Sequence, residues 1–184
     1  MNDYKLYQSD YIVNHRNDID IHLQEAHNNF KKLFPTSDST WSYNKYNLFA
    51  LTAPSSIFYE MYKELRNLVR QELGDDRPLW IQAWVNYHRS DEVLDWHEHE
   101  FDYHGYISID PKQTNTVFEE YSIKNTPGQI YFGPGYRKHK VEVLEPFEGF
   151  RTTIGFDIHA TPVNPMIREY IELPFVNMSL IPLL

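Results

Sequence analysis

Two helical stripes come first along the chain. From Ile19 to Phe34 the apolar residues Ile19, Leu23, Ala26, Phe30 and Leu33 recur at spacings of three and four, which places them on one face of an amphipathic helix that Pro35 stops. Ser55-Ser56 then supplies an N-cap, and Ile57, Phe58, Met61, Tyr62, Leu65, Leu68, Val69 and Leu73 form a broad apolar face as far as Gly74. The period changes near Gly74-Asp75-Asp76-Arg77-Pro78. After Pro78 the pattern predicts short strands at 79–89, 94–100, 104–110, 115–122, 129–133, 138–144 and 151–159, punctuated by Asp110-Pro111, Thr126-Pro127-Gly128, Gly133-Pro134-Gly135 and Glu145-Pro146 through Gly149. Strands at this spacing suggest an antiparallel sandwich or jelly roll. The expectation is one domain over 1–184: a mainly helical support (1–77), a β core (78–160) and an apolar, Pro-interrupted C-terminal segment (161–184) that packs on the sheet.

Composition narrows the function. The chain has 184 residues and a net charge of −9, which disfavours a general nucleic-acid or anionic-membrane binder. With no Cys, thiolate metal sites and thiol nucleophiles are excluded. No apolar run approaches a membrane span, and the first residues, Met1 to Gln8, lack the apolar core of a signal peptide. A soluble cytoplasmic protein is the expectation. There is no Gly-x-Ser-x-Gly elbow and no phosphate-binding Gly-x-x-x-x-Gly-Lys loop. His15, His22 and His27 lie in or near the first helix and read as surface or packing residues.

The densest chemistry lies between Asp95 and His104, in Asp95-Trp96-His97-Glu98-His99-Glu100-Phe101-Asp102-Tyr103-His104. Strand alternation points His97 and His99 to one face together with Asp95, and Glu98 and Glu100 to the other. Two imidazoles so spaced can converge on one metal. His139 follows the turn at Gly133-Pro134-Gly135, Arg151 begins the final strand, and Thr153 shares its face. Arg151 is suited to a carboxylate, which guanidinium binds in a two-pronged fashion; an ion pair with one of the chain's many acidic residues is the competing reading. Tyr103, His104 and Tyr136-Arg137-Lys138 either frame a substrate entrance or form a solvated turn.

In order and spacing, Trp84-Val85-Asn86-Tyr87-His88-Arg89, His97-x-His99, Gly105-Tyr106-Ile107, Gly128-Gln129-Ile130-Tyr131-Phe132 before His139, and Arg151-x-Thr153-Ile154-Gly155-Phe156 resemble the 2-oxoglutarate- and iron(II)-dependent oxygenases. The resemblance spans about residues 78–158 and is closest to a His-x-His subgroup met in phage and marine bacterial genomes; a phage origin would place the protein in the host cytoplasm. It implies a mainly β fold with supporting helices, the cupin-like double-stranded β-helix or jelly roll.

Carried over by position, the resemblance implies that His97 and His139 are iron ligands, and that Arg151, helped by Thr153, holds the distal carboxylate of 2-oxoglutarate. Asn86 and Tyr106 are candidates for the pocket wall around that co-substrate. Position 99 departs from the pattern, because most relatives carry Asp or Glu there. His99 is favoured as a third ligand. Asp95, as alternative ligand or as a residue orienting one, and water are the other candidates. A His at 99 also fills the position that halogenating relatives leave open, which argues against halogenation, and a neutral ligand in place of a carboxylate makes dioxygen activation harder. The implied cofactors are Fe(II), 2-oxoglutarate as co-substrate, and O2; the implied reaction hydroxylates a substrate, a protein side chain or small molecule being favoured over nucleic acid. Two other readings remain: a three-His cupin-like dioxygenase without 2-oxoglutarate, with Arg151 gripping the substrate's own carboxylate, and a non-enzymatic β-sandwich binding or assembly module. Substrate identity and oligomeric state are not written in the sequence.

Overall fold

Helix α1 (Asp10–Asn14) opens on an N-cap at Ser9, whose side chain accepts from the Ile12 amide, and α2 (Arg16–Leu33) follows after His15. A short α3 (Leu48–Leu51) is capped by Asn47. Helix α4 (Ser56–Leu73) has the expected limits: the Ser55 hydroxyl accepts from the Phe58 amide, and Gly74 closes the helix at φ 66°, a left-handed conformation that favours glycine. These coordinates, a computed structural model, describe residues 3–33, 35, 46–74, 76–92, 94–160 and 180–183. Phe34 and most of the C-terminal packing segment expected over 161–184 lie outside the described residues.

The strands are β1 (Lys5–Gln8), β2 (Trp80–His88), β3 (Tyr103–Asp110), β4 (Thr114–Phe118), β5 (Ser122–Lys124), β6 (Gln129–Pro134), β7 (His139–Val143), β8 (Arg151–His159) and β9 (Ile181–Pro182). They form two sheets, ordered β1-β6-β3-β8-β2-β9 and β5-β4-β7, and every pairing within them is antiparallel. The result is mainly β with supporting helices: the cupin-like jelly roll.

Three expectations change. The strand expected over 115–122 is two strands, because the Phe118 amide closes a turn onto the Tyr121 carbonyl at 2.8 Å. The segment 94–100 is not a strand. It is extended chain held to the edge of β7 by one isolated bridge, His97 to His139, with further bonds from the Val141 amide to the Leu94 carbonyl and from the His99 amide to the Gly135 carbonyl. Strand β1 was not anticipated; it pairs with β6 at the edge of the larger sheet.

Strand period decides what faces the site. On β8, Ile154, Phe156 and Ile158 are fully buried in the core that α2 and α4 share through Ile19, Leu23, Phe58, Met61 and Leu65. Arg151, Thr153 and Gly155 alternate with them and line the cavity between the sheets. On β2, Ile81, Val85 and Tyr87 join the helix-side core, while Trp84 and Asn86 face the cavity. Tyr106, Phe118, Ile123 and Tyr131 form a second, smaller buried cluster. No helix among the described residues is long and apolar enough to cross a membrane.

Candidate metal centre and anion pocket

Inner-face neighbours pair directly across the strands of the larger sheet. Trp84 lies opposite Gly155, Asn86 opposite Thr153, and His88 opposite Arg151. On the other flank of β8, His104 lies opposite Asp157. Gly155 is required here: a Cβ would stand 2.5 Å from the Trp84 indole, so the glycine lets that ring lie flat against the sheet.

His97, His99 and His139 converge. One ring nitrogen from each lies within 4.8 Å of the other two. The Nδ1 atoms are already committed: that of His97 lies 2.7 Å from the Asp95 carbonyl, and that of His139 lies 2.9 Å from the Arg137 carbonyl. A carbonyl only accepts, so both rings carry their proton on Nδ1 and keep a lone pair on Nε2. The Nδ1 of His99 is 3.1 Å from each carboxylate oxygen of Asp157, and its Nε2 is buried with no hydrogen-bond partner. Such an orphaned buried nitrogen is what a metal ligand awaiting its ion presents. Burial lowers the pKa of His97 and pushes that of His139 down to about 2, the neighbouring imidazoles adding to the effect, so both are neutral and fit to bind a cation at neutral pH.

Asp95 contributes through its backbone. Its carboxylate accepts from the Trp96 amide at 2.8 Å and belongs to no group of converging ligands among the described residues, while its carbonyl orients His97.

The sequence assigns Asp157 no role and offers His104 as part of an entrance or of a solvated turn; the structure buries both. Asp157 is fully buried and receives both His104 Nδ1, at 2.9 Å, and His99 Nδ1. Burial alone would raise its pKa; the hydrogen bonds from His104 and His99 outweigh that and hold it low. The same three residues could also hold a cation; their separations of 2.9 and 3.1 Å are those of ordinary hydrogen bonds from the two Nδ1 atoms to the carboxylate. The sequence signal was available: Asp157 continues the inward register of Arg151, Thr153 and Gly155.

Arg151 lies in the same cavity, whose volume is about 310 Å³. Arg151 is 3% exposed. Its Nη1 donates to the Thr153 hydroxyl at a long 3.4 Å, its Nε has no partner, and among the described residues no carboxylate pairs with it. Burial lowers its pKa to about 10. An unpaired buried cation is costly, and the cavity beside it admits the missing anion. Asn86 donates to the Thr153 hydroxyl at 3.3 Å, and its own Oδ1 is buried without a partner. Burial pushes the Tyr106 hydroxyl upward against the opposing pull of Thr116 and Arg151, leaving a protonated phenol on the cavity wall. Arg137, by contrast, is bound to Asp3 and Glu120 and does not line the cavity. His15, His22 and His27 are remote from the cavity and pack against Tyr11, Phe58 and Tyr87.

No protein-family model matches the chain, and no curated protein matches it in sequence. Among solved structures it is similar to the non-heme α-ketoglutarate-dependent epimerase SnoN from nogalamycin biosynthesis, with 10% identity and a TM-score of 0.50 over 87% of this chain and 80% of that one. It is also similar to a 2OG-Fe(II) oxygenase family oxidoreductase from Burkholderia pseudomallei (11% identity, TM-score 0.44, 52% of each chain), and to a cupin superfamily protein from Desulfitobacterium hafniense (15% identity, TM-score 0.36, 46% of this chain and 70% of that one). The chain thus spans about half the length of the Burkholderia protein. At these identities the likeness is one of fold, and the fold of this chain is the double-stranded β-helix that cupins and 2-oxoglutarate oxygenases share.

Proposed function

We propose that the chain is a non-haem Fe(II)- and 2-oxoglutarate-dependent oxygenase of the His-x-His kind, hydroxylating a small molecule or a protein side chain. The observation that carries this reading is the presence, in one cavity, of three converging imidazoles and a buried guanidinium that has no anion of its own among the described residues. The donor set fits a divalent transition metal, since imidazole suits iron and Nε2 is the nitrogen left free. His97, His99 and His139 would hold the iron, which with 2-oxoglutarate and O2 supplies oxidative decarboxylation to succinate and CO2 coupled to hydroxylation of a C–H bond.

The chain's own residues do the remaining work. Arg151, with Thr153 beside it, takes the distal carboxylate of the co-substrate. Asn86 and Tyr106 offer further polar contacts at that end. Trp84 and Val141 give the cavity apolar walls that exclude water from the reacting end.

The test is aerobic incubation with Fe(II) and 2-oxoglutarate, scoring succinate. Succinate formed by the wild-type protein and absent with Arg151→Ala or His139→Ala supports the reading. The presence of three histidines in place of two and a carboxylate favours one alternative, a cupin-like dioxygenase in which Arg151 grips the substrate's own carboxylate. Iron binding without any succinate would select it, and no iron binding at all would favour a binding module. A single-domain chain, cytoplasmic and without a nucleic-acid partner, remains the working proposal.

A further inference from the structure

Asp157 is shared. His99 and His104 both reach it through Nδ1, at 3.1 and 2.9 Å, and their rings lie parallel with centroids 3.7 Å apart. Trp84 stacks over the same pair, 5.7 Å from His99 and 6.2 Å from His104. Strand register builds the arrangement, since His104 on β3 faces Asp157 on β8 directly. His99, by contrast, sits on a stretch outside any strand, its amide held to the Gly135 carbonyl at 3.0 Å. Of the three candidate ligands, His97 and His139 are oriented by carbonyls two residues earlier in their own chain segment. His99 has no such local acceptor and depends on β8 instead.

We propose that Asp157 is the positioning residue of the metal centre: it fixes His99 as the Nδ1–H tautomer, and His104 locks the carboxylate in place by donating to Oδ1. This rests on the metal reading given above. A carboxylate has two acceptor oxygens and no donor, so both imidazoles must give it their Nδ1 proton, and His99 Nε2 is left as a lone pair facing the cavity.

An amide at 157 keeps one acceptor oxygen and puts an NH2 donor in place of the other, so His99 and His104, both within 3.1 Å of Oδ1, compete for the oxygen, and the ring that meets the NH2 takes the opposite tautomer. Asp157→Asn therefore places the proton of one ring, His99 or His104, on Nε2. Removing the competitor restores the balance: in the double variant Asp157→Asn/His104→Phe the amide oxygen is free for His99, and the phenyl ring keeps the stack.

The experiment reads histidine tautomers by 15N NMR in the metal-free proteins and Co(II) affinity by anaerobic titration. The expected results are Nδ1–H at both His99 and His104 in the wild type, a 10- to 100-fold loss of Co(II) affinity with Nε2–H at one of the two rings in Asp157→Asn, and recovery of most of that loss in the double variant. His99 found as Nε2–H in the wild type overturns the proposal, even if neither variant folds. So does unchanged affinity in a folded Asp157→Asn protein, or failure of His104→Phe to rescue it. A wild-type protein that shows both Nδ1–H tautomers but binds no metal overturns the functional reading, and with it the assignment of a metal-centre role to Asp157.

Discussion

His97 and His139 face each other across an isolated antiparallel bridge in which the amide of each donates to the carbonyl of the other, at 3.0 and 2.9 Å. Two side chains far apart in sequence are thereby set by a single backbone pair, and each ring is then turned by the carbonyl two residues before it. Because the bridge is backbone to backbone, it survives removal of either side chain. His97→Ala and His139→Ala are therefore expected to stay folded while losing at least about a hundredfold in Co(II) affinity, at or beyond the upper end of what losing a mere orienting residue costs. Calorimetric titration checks this, and a folded His139→Ala protein with wild-type affinity would refute the ligand set.

Arg151 predicts a trade of function against stability. Deleting one partner of a buried Arg–carboxylate pair costs roughly 3–5 kcal/mol, or about a hundred- to a few-thousand-fold in affinity. Arg151→Ala should weaken 2-oxoglutarate binding by that factor and leave metal affinity nearly unchanged; Arg151→Lys, which keeps the charge and loses the fork, should fall between. In the ligand-free protein the same guanidinium is buried and unmatched. Arg151→Met should therefore raise the stability of the empty protein by about 1–3 kcal/mol, read from urea unfolding, and abolish stabilisation by 2-oxoglutarate. A destabilised Arg151→Met protein would show that the cation has a partner.

The fit of Gly155 against Trp84 is equally testable. A methyl at 155 collides with the indole, and the ring can move only into the cavity or against the His99–His104 stack. Gly155→Ala should cost about 1–3 kcal/mol as an overpacking change and quench or shift the Trp84 fluorescence response to metal. Unchanged stability and unchanged fluorescence would contradict the packing described.

Stability should fall on mild acidification. Burial lowers the pKa of both His88 and His104 to about 4, with Arg151 and His97 adding to the effect at His88 and His99 adding to it at His104. Between about pH 4 and the ordinary histidine value of about 6.5 the unfolded chain binds protons that the folded one refuses. Their contribution is therefore present above about pH 6.5 and is lost as the pH falls toward 4, each group giving a slope of up to about 1.4 kcal/mol per pH unit. Urea midpoints at pH 7 and pH 5 check this, and His88→Gln should flatten the profile.

Strand period made much of the site legible in advance. His97, His99, His139, Arg151, Thr153, Asn86 and Tyr106 all line one cavity; the strand period accounts for Asn86 on β2, Tyr106 on β3, and Arg151 and Thr153 on β8. Asp157 obeys the same rule on β8. Only the pairing of β3 with β8 brings His104 to it, and pairing is not written in either strand alone. The stretch 94–100 alternates like a strand yet makes one bridge, since it meets β7 only at its edge. Strand β1, four residues long, is too short for its period to stand out.

The most direct measurement is an anaerobic titration of the protein with Fe(II) and then 2-oxoglutarate, followed by visible absorption. The account predicts a charge-transfer band that grows to one equivalent of iron and appears only when 2-oxoglutarate is added, is lost in His139→Ala, and in Arg151→Ala requires at least about a hundredfold more 2-oxoglutarate. Iron that binds to His97, His99 and His139 with no band at saturating 2-oxoglutarate, or a band whose 2-oxoglutarate dependence is the same with and without Arg151, would contradict it.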